Sequence, residues 1–331
     1  MSPNKRTLVI RTRDSGFFSN LNQVLNNLHH RLGRGAIEAA SVEWHAGPEQ
    51  HQFPYGNPED GNLWLRFFEP LPFDKIPVES CETNIYAAIT MTGRLAYAMY
   101  KLDRRWRWSY HRIFRRYIRI KPHILERAEA IYRTHMAGRY CLGVHYRHPA
   151  HDSECLNPIP GPEAFISELR RKLPRARPWV VFLASDAEPA VTSFREAFGE
   201  RLVLQPGVRR SASLAEGNLH HDNPAASLVL GEQALIDCLL LTRCDLLLHV
   251  TSNLATAAGY MNPKMKMQYC ETRTQAAMGY LWSVATVGRL NLLRSAARLP
   301  PRLRKALRRY IIPAAVTSWI LRVGPSAENR S

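Results

Sequence analysis

Three short apolar runs in the second half of the chain each end in side chains suited to a phosphorylated ligand. YCLGVHY (140–146), with His145 near its end, leads into Arg147. WVVFLAS (179–185) leads into Asp186, and LLLHV (246–250) leads into Thr251, Ser252 and Asn253. A guanidinium is a planar fork of donors that matches paired phosphate oxygens. A Thr-Ser-Asn cluster opening a helix places hydroxyl and amide groups at the positive end of the helix dipole, where an anion is stabilised. A carboxylate such as Asp186 can accept two parallel hydrogen bonds, the pattern offered by the N1–H and N2–H edge of guanine. The structural alternatives are a helix cap for Asp186 and a surface ion pair for Arg147.

These residues need a frame, and the pattern supplies one. After Gly138, apolar runs alternate with helical periodicity: helices over 162–172, 189–198, 231–242 and 253–260, and strands over 140–146, 179–185, 201–204, 246–250 and 265–270. Strands apolar on both faces and separated by helices predict a parallel, doubly wound sheet. Ligands of such sheets sit beyond the carboxyl ends of the strands. In the first half, TLVIR (7–11), the turn Asp14-Ser15-Gly16 and the periodic Leu21, Val24, Leu25, Leu28 and Leu32 read as strand, turn and helix. A second strand is expected near Ile37–Trp44, a loop over 47–62 and a packed element at NLWLRFFEPL. A nearly continuous helical stretch from Ala87 to His135 should put arginines on its wet face and aromatics on its core face. No G-x-G-x-x-G or Walker pattern is present.

The chain has 331 residues with 45 Lys+Arg against 28 Asp+Glu, a net charge of +17. That length suits two α/β domains. The excess positive charge sits in residues 94–133 and 279–331, which points to anionic partners but not to nucleic acid, because no zinc-finger, RRM or basic-zipper pattern appears. Leu292, Leu293, Leu299, Leu303 and Leu307 alternate with arginines in the tail, the composition of a segment lying on an anionic membrane surface. The six cysteines lack C-x-x-C spacing and read as reduced thiols. No apolar run approaches the roughly eighteen residues of a membrane span, and no secretory leader is evident. The expected location is therefore cytoplasmic, peripheral on the inner face of the membrane. His148, His151 and Cys155 lack a regularly spaced fourth ligand, so no metal is expected.

Taken in order, GVHYRHPAHDSE (143–154), VVFLASDAEP (180–189) and LIDCLLLTRCDLLLHVTSNLATAAGYMNP (235–263) resemble three motifs of the inverting fucosyltransferases: the α1,6 enzymes, the bacterial nodulation branch and the protein O-fucosyltransferases. The resemblance covers about 130 residues of the second half. In the first half it rests on Gly16 to Asn20 and NLWLRFFEP. It implies a GT-B architecture: a Rossmann-like acceptor-side domain (1–137), a Rossmann-like nucleotide-sugar domain (138–275) and a basic amphipathic tail (276–331). It also implies a GDP-sugar donor, no metal cofactor, and a glycan or glycolipid acceptor. By motif position, Arg147 corresponds to the diphosphate arginine, His145 and Asp186 to guanine contacts, and Thr251, Ser252 and Asn253 to the phosphate loop. Glu154 is near the place of the general base with Asp152 second, while Gly16, Asn20 and His220 fall on the acceptor side or a covering loop. Where many relatives read R-x-T-D-K, this chain reads Arg147-His148-Pro149-Ala150-His151. The alternatives are the same fold with another nucleotide sugar, or a non-catalytic glycan- or nucleotide-binding protein.

Overall fold

The computed structural model describes residues 7–12, 15–31, 39–46, 58–73, 104–149, 159–212 and 227–270. All of them belong to one compact unit. Strand β1 (Thr7–Arg11) pairs in parallel with β2 (Ala39–Glu43), and helix α1 (Phe17–Arg31) lies between them in sequence. Gly16 starts α1 by accepting from the N–H groups of Ser19 (3.0 Å) and Asn20 (3.2 Å).

Within the element NLWLRFFEPL, Trp64–Phe67 forms a four-residue helix, α2, which buries Trp64 and Phe67. The stretch expected to be helical almost throughout forms two helices in its described part, α3 (Arg104–Tyr117) and α4 (Pro122–His135). Tertiary pairing breaks it: Phe68 and Ile120 form an antiparallel bridge. The Arg119 carbonyl accepts from Glu69 N–H at 2.8 Å, and Lys121 N–H donates to Phe67 O at 2.9 Å. Pro122 then opens α4, where a missing N–H costs nothing. On α3 the exposed arginines and the fully buried Tyr110 follow the amphipathic expectation. Arg107 departs from it, being buried with Nη1 on the Met265 carbonyl at 2.7 Å.

The second half alternates β3 (Tyr140–Tyr146), α5 (Pro162–Lys172), β4 (Trp179–Ser185), α6 (Glu188–Phe198), β5 (Leu202–Val203), α7 (Ser227–Leu241), β6 (Leu246–His249), α8 (Asn253–Met261) and β7 (Lys266–Tyr269). All strand pairs are parallel, in the order β5-β4-β3-β6-β7. The chain walks outward from β3 to β5 and then crosses to the other side of β3 for β6 and β7. The switch point therefore lies between the ends of β3 and β6, where His145 and His249 are in register.

Period-two alternation divides the core. Leu142, Val144, Tyr146, Val181, Leu183 and Leu248 pack with Phe165, Leu169, Val191 and Phe194 of α5 and α6. From the opposite face, Cys141, Phe182 and Leu247 join Leu235, Leu240 and Leu241 of α7, Ala257 and Tyr260 of α8, and Phe17, Leu21 and Trp44 of the first half in one continuous core. Cys141, Cys238 and Cys244 are buried free thiols, and Cys270 is buried.

Candidate functional site

At the switch point the side chains singled out from the sequence come together. The Arg147 guanidinium leaves β3 half-buried and donates from Nη1 to the Thr251 carbonyl beyond β6 at 3.3 Å. Thr251 itself is held through its hydroxyl, 3.1 Å from the Tyr269 hydroxyl at the end of β7. Ser252 is the N-cap of α8: its backbone is extended, and its Oγ accepts from Leu254 N–H at 3.1 Å. The same oxygen lies 2.8 Å from His145 Nε2, and both side chains are buried. Burial lowers the His145 pKa to about 4, with Asp186 opposing and Arg147 and His249 reinforcing the shift. The imidazole is thus neutral at physiological pH. A neutral ring can share the Ser252 hydroxyl proton without carrying charge into the core.

Beside this loop a cavity of about 80 Å³ is lined by His145, Ala184, Asp186, Val208, Leu230, Gln233, Asp237 and Leu254, among others. Its walls are largely apolar, and its polar residues are two acids, Asp186 and Asp237, the His145 imidazole, the Gln233 amide, Ser185 and Arg209. That combination grips a flat ring by its faces and reads it by its edge. Asp186 does not cap the following helix, since α6 begins from Ala187 without a side-chain cap. Its backbone carbonyl accepts from Ser211 N–H at 2.7 Å, and Asp186 lines the cavity.

Asp237 was not among the sequence candidates. It lies on α7, and burial raises its pKa to about 8, opposed by Arg210 and reinforced by Asp186. Gln205, with its amide nitrogen toward the acceptors, donates to Asp237 Oδ1 at 2.6 Å and to the Gln233 carbonyl at 2.9 Å. The available signal was a lone aspartate within ALIDCLLLT, where an apolar helix has no structural use for an acid.

Gly16 and Asn20 occupy the turn that starts α1. The Asn20 amide donates to the Ser15 carbonyl at 2.7 Å, so its nitrogen holds the turn. Phe17 and Phe67 approach Gly231 so closely that a Cβ there would meet their rings at 3.3 and 3.0 Å, which places the α1 start against α7. His148 is buried. Asp152, Glu154, His151, Cys155 and His220 lie outside the described residues.

The sequence matches no protein-family model and no curated protein. Among solved structures it is similar to NodZ α1,6-fucosyltransferase co-crystallised with GDP, at a TM-score of 0.50 and 18% identity over 78% of this chain and 93% of that one. The fucosyltransferase NodZ from Bradyrhizobium gives 0.50 and 18%, over 78% and 94%. At such identity the likeness is one of fold. In fold, this chain is similar to these fucosyltransferase structures.

Proposed function

We propose that the chain is a glycosyltransferase of two-domain GT-B architecture, which moves fucose from GDP-fucose to a glycan hydroxyl with inversion and without a metal. The observation that carries this reading is the adjacency at one switch point of a protein-oriented arginine, a capped helix start and a ring-sized cavity edged by acids. Guanine would enter the cavity with its amide edge toward Asp186 and Asp237. Its diphosphate would then reach Arg147 and the start of α8. In the transfer step, the acceptor oxygen bonds to the sugar anomeric carbon on the face opposite the nucleotide. The bond from that carbon to the β-phosphate oxygen breaks, and its electron pair leaves with GDP. Arg147 and the dipole of α8 offset the developing charge, a preorganised electrostatic role. The acceptor proton goes to a general base, for which we assign Glu154 first and Asp152 second.

The acceptor-side assignment of Gly16, Asn20 and His220, a glycan or glycolipid acceptor, and a cytoplasmic site on the inner membrane face belong to the same proposal. A thermal-shift panel tests it. GDP at a hundred times its dissociation constant should stabilise by about 2.7 kcal/mol, with UDP, CMP and ADP giving far smaller shifts. Equal shifts for GDP and UDP would remove the guanine assignment while leaving the diphosphate site standing.

A further inference from the structure

Helix α1 buries five amide side chains, Asn20, Asn22, Gln23, Asn26 and Asn27, among its leucines. Most of them serve the local chain. Asn20 holds the turn at Ser15, Gln23 donates to the Arg11 carbonyl at the end of β1 at 2.9 Å, and Asn27 donates to the Gln23 carbonyl of its own helix at 2.9 Å. Asn26 accepts from the Tyr110 hydroxyl at 2.7 Å. Asn22 differs, because its Nδ2 donates to the Asn253 backbone carbonyl at 3.0 Å and to Asn253 Oδ1 at 3.1 Å, across 231 residues of sequence.

Asn253 is the first residue of α8, next to the Ser252 cap. With its side-chain oxygen engaged by Asn22, the Asn253 amide has a fixed orientation. Its acceptor end is occupied, and its Nδ2 donor end is the one left for an anion. Asn22 Oδ1 is buried without a partner, as are Gln23 Oε1, Asn26 Nδ2 and Asn27 Oδ1 on the same helix, so it is the reach to Asn253 that sets Asn22 apart. An orphaned acceptor destabilises where an apolar side chain of similar volume would not.

From this geometry we infer that Asn22 is a positioning residue of the phosphate loop: it sets the Asn253 amide so that a donor, and not a carbonyl oxygen, meets the diphosphate. The inference rests on the reading of the α8 start as a phosphate site and is independent of which base the nucleotide carries. Asn22 acts through Asn253 and need not touch the ligand.

Calorimetric titration of the full chain with GDP and with inorganic pyrophosphate separates the two claims. Asn22→Leu should raise the dissociation constant for both probes about tenfold, the order expected for one hydrogen bond to a charged group. The melting temperature of the unliganded variant should not fall. Asn27→Leu removes an equally buried amide of the same helix that bonds only its own backbone, and it should leave both affinities unchanged. Asn22→Ser, too short to reach both oxygens, should reproduce the loss if leucine disrupts folding. In a double-mutant cycle, Asn22→Leu should have little further effect once Asn253 is alanine.

Unchanged affinity in both Asn22 variants, an equal loss in Asn27→Leu, or additivity in the cycle would each overturn the positioning role. A wild-type chain that binds pyrophosphate but not GDP loses the guanine reading and keeps this one. A wild-type chain that binds neither loses the phosphate site, and the inference falls with it.

Discussion

Arg147 is oriented by the protein, since its bond to the Thr251 carbonyl ties the end of β3 to the loop after β6. A lysine could supply the charge but not the planar fork. Arg147→Lys should therefore weaken GDP binding nearly as much as Arg147→Ala, by about tenfold to a hundredfold for a lost charge-assisted contact, read by titration calorimetry. Lysine at wild-type affinity would remove Arg147 from the diphosphate.

The buried titrating groups give the protein a pH signature. Burial lowers His145 and His249 from 6.5 to about 4, so each contributes stability that is fully present above pH 6.5 and lost as the pH falls through 4. Asp237 is raised from 3.8 to about 8, so its contribution is fully present below 3.8 and lost as the pH rises through 8. Between 4 and 6.5 the two histidines outweigh the one acid, and above 6.5 the acid acts alone. The melting temperature should peak near pH 6.5, and Asp237→Asn should flatten the alkaline side of that peak while leaving the acid side. An alkaline decline that persists in Asp237→Asn would assign it to other groups.

Among the elements, β3 decides the most. It runs between β4 and β6, its end supplies His145 and Arg147, and α7 crosses close to its middle. A Cβ added at Gly143 would meet Cys244 Sγ at 2.8 Å and Leu241 Cδ2 at 3.1 Å, which explains a glycine inside a central strand. Gly143→Ala should cost about 1–3 kcal/mol by overpacking, visible in denaturant unfolding. Pairing it with Cys244→Ala should restore part of the loss, whereas no restoration would place the strain elsewhere. The central strands β3, β4 and β6 were legible because they are apolar and buried on both faces. The break between α3 and α4 was not legible in the same way: its periodicity is helical on both sides, and the interruption comes from Phe68 pairing with Ile120, a contact made 52 residues away in sequence.

For the whole molecule, the basic composition of residues 276–331 carries our proposal of an anionic membrane surface as partner. The full chain should sediment with anionic phospholipid vesicles at low salt and be released at high salt, and a chain ending at residue 275 should not sediment. Equal sedimentation of both would move the contact away from the tail. The sequence by itself determined the alternation of strands and helices, and with it the candidates Arg147, Asp186 and Thr251 to Asn253, because apolar runs and their polar ends are local features of the chain. It also carried the likeness to fucosyltransferases in the order of three motifs. Only the tertiary structure decided that Ser252, and not Asp186, caps a helix, that His145 spends its ring nitrogen on that cap, that Asp237 joins the cavity, and that Asn22 reaches Asn253. Each of these depends on which elements lie side by side. Hydrophobic periodicity says which face of an element is buried, but not which partner's polar group will be found there once the chain has crossed from one side of β3 to the other.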